Sequence, residues 1–173
     1  MSKIIFILGG ARSGKSTFAV KLAKDSGKKK IAFIATGEAL DKEMEKRIML
    51  HKKSRPGNFK TFEELCDVDE LLKKITGKFD VIIIDCLTLF VSNLLLKKYE
   101  EEKIYKKMSN ILALLKKMNA KTIIISNEVG LGIVPDNKLG RDFRDIAGKV
   151  NQLVAQKANN VFFMVSGLPW RIK

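Results

Sequence analysis

Histidine is almost absent from this 173-residue chain, which has one, His51. Cysteine is scarce as well: Cys66 and Cys86 stand alone, and neither belongs to a CxxC pair. Neither a disulfide framework nor a zinc site is indicated by such usage, and a reducing, cytoplasmic setting is expected. No apolar run approaches the 18 residues or so of a membrane span, and the apolar stretch 3–8 is far too short for the core of a secretion signal, so no membrane insertion is expected. Aromatic residues make up only 8%, and there is no RNP-like or recognition-helix signature, which argues against a nucleic-acid module in spite of a net charge of +14.

That charge comes from 33 lysines and arginines set against 19 acids. The lysines are dispersed in pairs and triplets, among them Lys28-Lys29-Lys30, Lys73-Lys74, Lys106-Lys107 and Lys116-Lys117, rather than gathered in one arm. Dispersal of this kind reads as a solvated, lysine-rich surface whose positive potential helps to attract anionic substrates. Hydrophobic residues at 46% and charged residues at 30% suit a globular protein, and the length suits one domain, residues 1–173. No repeat or linker divides the chain.

Apolar runs rich in isoleucine and valine predict strands at Lys3–Leu8, Lys30–Thr36, Phe79–Asp85, Lys121–Ser126 and Asn160–Ser166. Helical periodicity lies between them, over Lys15–Lys24, Glu38–Lys53, Glu63–Ile75, Thr88–Met118 as two helices, and Leu139–Ala158. This alternation predicts an α/β fold with a mostly parallel central sheet flanked by helices on both faces. Ligands in such sheets gather at the carboxyl ends of the strands.

Gly9-Gly10-Ala11-Arg12-Ser13-Gly14-Lys15-Ser16 satisfies GxxxxGK[ST] and sits between a predicted strand and a predicted helix, the context that a phosphate-binding P-loop requires. Its glycines let backbone N–H groups turn towards phosphate oxygens, Lys15 reaches the β- and γ-phosphates, and Ser16 is placed to ligate Mg²⁺. The fold class expected is therefore a RecA-like P-loop NTPase. Asp85 ends the run Val81-Ile82-Ile83-Ile84, where a carboxylate can hold the magnesium shell or cap the helix that follows; the two roles are compatible. By spacing alone His51 reads as a surface or packing residue, although Arg47, Lys52, Lys53 and Arg55 around it would disfavour the imidazolium and leave a ring nitrogen free to attack. Residues 126–135, with Gly130 and Gly132, form a loop at the same sheet edge and bring Glu128 towards the phosphates. Farther on, Gly148 interrupts a helical face that also carries Arg144 and Asn151, which points to close approach of a ligand or a neighbouring subunit.

Taken with Ile34-Ala35-Thr36, Arg55-Pro56, Asp85-Cys86-Leu87-Thr88, Ser92-Asn93-Leu94, Ser126-Asn127-Glu128 and Phe143-Arg144-Asp145, these residues resemble the bifunctional adenosylcobinamide kinase and adenosylcobinamide-phosphate guanylyltransferase family nearly end to end. The resemblance implies phosphorylation of the aminopropanol hydroxyl of adenosylcobinamide by ATP or GTP, followed by transfer of GMP from GTP. It makes His51 the guanylylated nucleophile of the second reaction, while Lys15 of the P-loop is the catalytic residue expected for the first. It places nucleotide contacts on Gly10, Ala11, Arg12, Ser13, Gly14, Lys15, Ser16 and Thr17, on Ala35, Thr36 and Gly37, on Lys52, Lys53, Ser54 and Arg55, and on Glu63 and Asp85, with Mg²⁺ at Ser16 and Asp85. It also implies a homotrimer, with Gly148 and Asn151 near a subunit boundary. A simpler P-loop kinase or NTPase, with a merely structural His51, is the alternative that these residues leave open.

Overall fold

A computed structural model of the chain describes residues 3–39, 41–53 and 55–173, the side chains of Arg47 and His51 excepted. Seven strands form one sheet: β1 Lys3–Gly9, β2 Ile31–Ala35, β3 Phe59–Glu63, β4 Val81–Asp85, β5 Lys121–Ile125, β6 Asn160–Val165 and β7 Leu168–Arg171. Their order is β3-β2-β4-β5-β1-β6-β7, parallel throughout except for β7, which runs antiparallel to β6. The helices are α1 Lys15–Lys24, α2 Lys42–Lys53, α3 Val68–Ile75, α4 Leu87–Leu96, α5 Glu101–Lys117 and α6 Lys138–Lys157. None of them is long and apolar enough to cross a membrane.

The side chains of a strand alternate between faces, and here the alternation divides the core in two. Ile4, Phe6, Ile34, Ile82, Ile84 and Ile124 point to one face, where α3, α4, α5 and α6 cover them with Leu72, Phe90, Leu94, Met108, Leu115 and Val150. Ile5, Ile7, Phe33, Ile83, Ile123 and Ile125 point to the other, against Ala19 and Ala23 of α1. Central strands buried on both faces explain the unbroken apolar runs that made them visible in the sequence. None of the described side chains of α2 belongs to either cluster, and Met49 and Leu50 on it are exposed.

Two strands were not expected. β3 is a five-residue edge strand with only Phe59 buried, so it presents no apolar run. The segment expected to be helical from Glu63 instead has Glu63 closing β3, and the helix starts at Val68. β7, Leu-Pro-Trp-Arg, is exposed along its whole length and carries a proline that only an edge strand tolerates. The second helix starts at Lys42 rather than Glu38. The expected division of 88–118 into two helices, the bounds of α1 and those of α6 to within a residue all agree with the structure.

Phe90 is fully buried on α4 between the sheet and its neighbouring helices. Phe90→Ala should lower the free energy of unfolding by about 3–5 kcal/mol in urea titrations, because a buried ring leaves a cavity that close-packed neighbours fill only in part.

Candidate functional site

The parallel register sets the carboxyl ends of β3, β2 and β4 level: Ala35 pairs with Glu63 on one side and with Asp85 on the other. β5 comes next, then β1, whose end at Gly9 opens the phosphate loop. Gly9 has a positive φ of 153°, and a side chain there would lie 2.7 Å from the Met164 carbonyl oxygen. Arg12 and Gly14 also have positive φ, 55° and 91°, which curls the loop before α1 begins. Gly14 lies so close to Gly167 that an added Cβ would stand 3.2 Å from its Cα. Gly167 N donates to Ser13 O at 3.1 Å, so the β6–β7 turn braces the loop from outside.

No side chain caps the N-terminus of α1, and its first turn holds no acid, whereas the first turns of α2, α3 and α5 do. The amides of that turn lack partners within the helix and carry the positive end of its dipole, which makes the position suitable for an anion. Lys15 is buried and lies over the loop, its Nζ donating to Gly10 O at 2.5 Å and nearer than 3.5 Å to Ser13 Oγ. Burial pulls its pKa below the ordinary lysine value, opposed by the nearby Asp85 carboxylate. Across the edge, Ser16 Oγ donates to Asp85 Oδ2 at 2.8 Å. Residues 69 apart in sequence thus converge as the hydroxyl and carboxylate that the sequence reading assigned to a magnesium ion.

On the β2–β3 side the groups are charged. Glu63 pairs with Lys52. The Arg55 guanidinium stacks over the Phe33 ring at 4.1 Å from its centroid, an arrangement that holds the cation without neutralising it. Its Nε and Nη1 are buried with no hydrogen-bond partner, and burial lowers its pKa against the pull of Asp85 and Glu63. A half-buried cation with unfilled donors is suited to a phosphate. Lys53 is exposed, whereas Ser54 and the His51 side chain lie outside the described residues.

Polar side chains on the otherwise apolar α4 fix the loops between these groups. Asn93 Nδ2 donates to the carbonyls of Thr36 at 2.7 Å and Leu65 at 3.1 Å. Thr36 Oγ1 donates to Cys86 O and accepts from Cys86 N. Thr88 Oγ1 lies 3.1 Å from Ser126 Oγ and accepts from Asn127 N at 2.7 Å, while Asn151 Nδ2 donates to Asn127 O at 3.2 Å. The sequence carried these residues as landmarks without a role; the signal available was polar Thr88, Ser92 and Asn93 inside an apolar helix. Asn151 is therefore buried and bonded to a loop of its own chain. Beyond its own helix, Gly148 has no described atom within 4 Å of where a Cβ would stand, so no close approach by another part of the chain accounts for it. Glu128 does come to the phosphate loop, its N donating to Gly9 O at 3.1 Å. A concavity of about 460 Å³ between α5 and α6 lies elsewhere, and Lys149 there already pairs with Glu101.

Residues 5–172 match the family described as cobinamide kinase / cobinamide phosphate guanyltransferase. The chain belongs to that family. It is 39% identical to the bifunctional adenosylcobalamin biosynthesis protein CobU of Escherichia coli (strain K12), over 98% of this chain and 99% of that protein. It is also 39% identical to the bifunctional adenosylcobalamin biosynthesis protein CobP of Pseudomonas aeruginosa, over 96% and 95%. Among solved structures, the flagellar accessory protein FlaH of Methanocaldococcus jannaschii superposes with a TM-score of 0.55 at 18% identity, over 99% of this chain and 78% of that one. This last likeness shows the RecA-like P-loop fold that the sequence led us to expect, and places this cobinamide kinase family member in it.

Cys86 lies beside Asp85 in this edge, and burial together with that carboxylate pushes its thiol up to about 12 from 9.0. An unfolded thiol deprotonates from pH 9.0 upwards while the folded one keeps its proton, so its stabilising contribution is complete below pH 9.0 and lost as pH rises towards 12. Against Cys86→Ala, the wild type should lose about 1.4 kcal/mol of relative stability per pH unit across that window. Paired denaturant titrations from pH 8 to 11 check this, parallel curves being the contrary result.

Proposed function

We propose that this enzyme phosphorylates the aminopropanol hydroxyl of adenosylcobinamide and then transfers GMP from GTP to the new phosphate through a guanylyl-histidine at His51. The observation that carries the reading is the convergence of Lys15, Ser16 and Asp85 at the mouth of the P-loop, in a chain of the cobinamide kinase / cobinamide phosphate guanyltransferase family.

In the first reaction the substrate oxygen attacks the γ-phosphorus of ATP or GTP, a nucleoside diphosphate leaves and the hydroxyl proton is released. The loop's contribution is position and charge: amides from Gly10 to Thr17 surround the phosphates, and the Lys15 ammonium moves from Gly10 O to the transferring group. Ser16 Oγ and the Asp85 carboxylate fit a magnesium ion, which takes one or two protein oxygens and completes its shell with phosphate and water. Bound there, Mg²⁺ would offset the negative charge on the phosphates.

In the second reaction a neutral His51 ring nitrogen attacks the α-phosphorus of GTP and pyrophosphate leaves. An oxygen of cobinamide phosphate then attacks the phosphoramidate, giving adenosylcobinamide-GDP and free histidine. Arg55, with buried donors unfilled, is suited to the leaving phosphates. Ala35, Thr36, Gly37 and Glu63, at the ends of β2 and β3, line the same nucleotide. We read the working enzyme as a cytoplasmic homotrimer.

Incubation with α-³²P-GTP and Mg²⁺ should give an acid-labile, alkali-stable label on the wild type and none on His51→Ala, which should keep its kinase activity. Lys15→Ala should lower the kinase rate by roughly 10²-fold or more with the fold intact by circular dichroism. A folded wild type that phosphorylates cobinamide yet never takes the label would sink the transferase half and leave a kinase with a structural histidine.

A further inference from the structure

Between Asp85 and the phosphate loop stands a segment that the reactions above leave unused. β5 runs between β4 and β1, with Ile125 level with Asp85 on one side and Ile7 on the other. The chain leaving it runs beside the start of the phosphate loop. It is held there at its base: Ser126 N donates to Ile7 O at 3.0 Å, Glu128 N to Gly9 O at 3.1 Å, and Asn127 is bonded to both Thr88 and Asn151. Its far part is ordered too, with Gly130 N donating to Glu128 Oε1 at 3.0 Å and Arg141 Nη1 donating to the carbonyls of Pro135 at 3.1 Å and Asp136 at 2.9 Å.

What this braced loop presents to solvent is aliphatic. Leu131 is 78% exposed, Ile133 96% and Val134 60%, with exposed Leu139 following in the first turn of α6. Three large aliphatic side chains within four residues, on a chain with 33 cationic ones to spend, form an apolar patch that water does not favour. The charged groups Lys52, Glu63 and Arg55 lie on the opposite side of Asp85, over β2 and β3. The carboxyl ends of the strands thus carry charged groups over β2 and β3, the phosphate loop after β1, and an aliphatic loop after β5 between them.

We propose that Leu131, Ile133 and Val134 seat the corrinoid, the methylated macrocycle lying on these aliphatics while its hydroxyl-bearing arm reaches over Glu128 to the phosphate loop. This rests on the functional reading above and specifies which residues take its acceptor. Of the other exposed apolar side chains, Met49 and Leu50 stand on α2 and Leu96, Tyr99 and Tyr105 at the end of α4, just after it and on α5, while Val165, Leu168, Trp170 and Ile172 belong to β6, β7 and the tail that follows. β7 is an edge strand whose free peptide groups suit pairing with another strand rather than a macrocycle. The loop after β5 offers no strand edge, and it adjoins the groups that must meet the substrate hydroxyl.

The test compares the wild type with Leu131→Ser, Ile133→Ser, their double variant and Ile133→Leu. Kinase kinetics give KM for cobinamide and for ATP, equilibrium dialysis gives corrinoid affinity, and light scattering gives mass. Each serine variant should raise KM and the dissociation constant for cobinamide about tenfold, the double variant more, with KM for ATP held and Ile133→Leu near wild type. Unchanged cobinamide affinity in the double variant overturns the assignment. So does a fall in mass with KM for both substrates impaired, since the patch would then be a contact with a second copy. A wild type that binds and phosphorylates cobinamide while the variants match it defeats the loop assignment alone; a wild type that does neither defeats the functional reading with it.

Discussion

The functional edge rests on the parallel pairing that sets β4, β5 and β1 side by side with their carboxyl ends together. Backbone amides of the P-loop can hold a triphosphate unaided, but a hydroxyl on α1 and a carboxylate on β4 can share one cation only if the strand between them is in register. Ser16 and Asp85 meet at hydrogen-bond distance because Ile125 is level with both Asp85 and Ile7. A slip of register would carry Asp85 away from the loop and reverse the faces of the isoleucines beneath it.

Apolar burial fixes the strands, whereas polar groups fix the loops that leave them. Loops at strand ends have carbonyls and amides that no ladder satisfies, and each one buried without a partner costs on the order of 1–3 kcal/mol. Here α4 satisfies them from one helix: Asn93 takes the β2 and β3 loops, and Thr88 takes the β5 loop with help from Asn151 on α6. The nucleotide side and the loop that we assign to the corrinoid are thereby fastened to the same helix, while α2, which carries His51, contributes no described side chain to either core. The paired lysines of the sequence face solvent, Lys107 excepted, which is partly buried between Asp67 and Asp69.

Local information carried much of this into the sequence. The P-loop was legible because its chemistry needs eight consecutive residues, and β1, β2, β4 and β5 because strands buried on both faces must be apolar throughout. β3 and β7 were hidden because edge strands make fewer demands on their side chains: Lys60, Thr61 and Glu63 face outwards, and Pro169 needs no ladder partner. Glu63 was read into a helix for the same reason, the periodicity of Val68, Leu72 and Ile75 extending backwards through residues whose polarity suits either state.

The sequence by itself determined a P-loop α/β fold, the positions of its buried strands and the residue types available for phosphate chemistry, since each depends on neighbours in the chain. Only the tertiary structure decided that Ser16 faces Asp85, that Phe33 lies beneath Arg55 and that Asn151 holds the loop after β5. It also decided that Leu131, Ile133 and Val134 of the loop after β5 face solvent. Those pairings join distant segments through sheet order and register, which a single sequence does not encode locally.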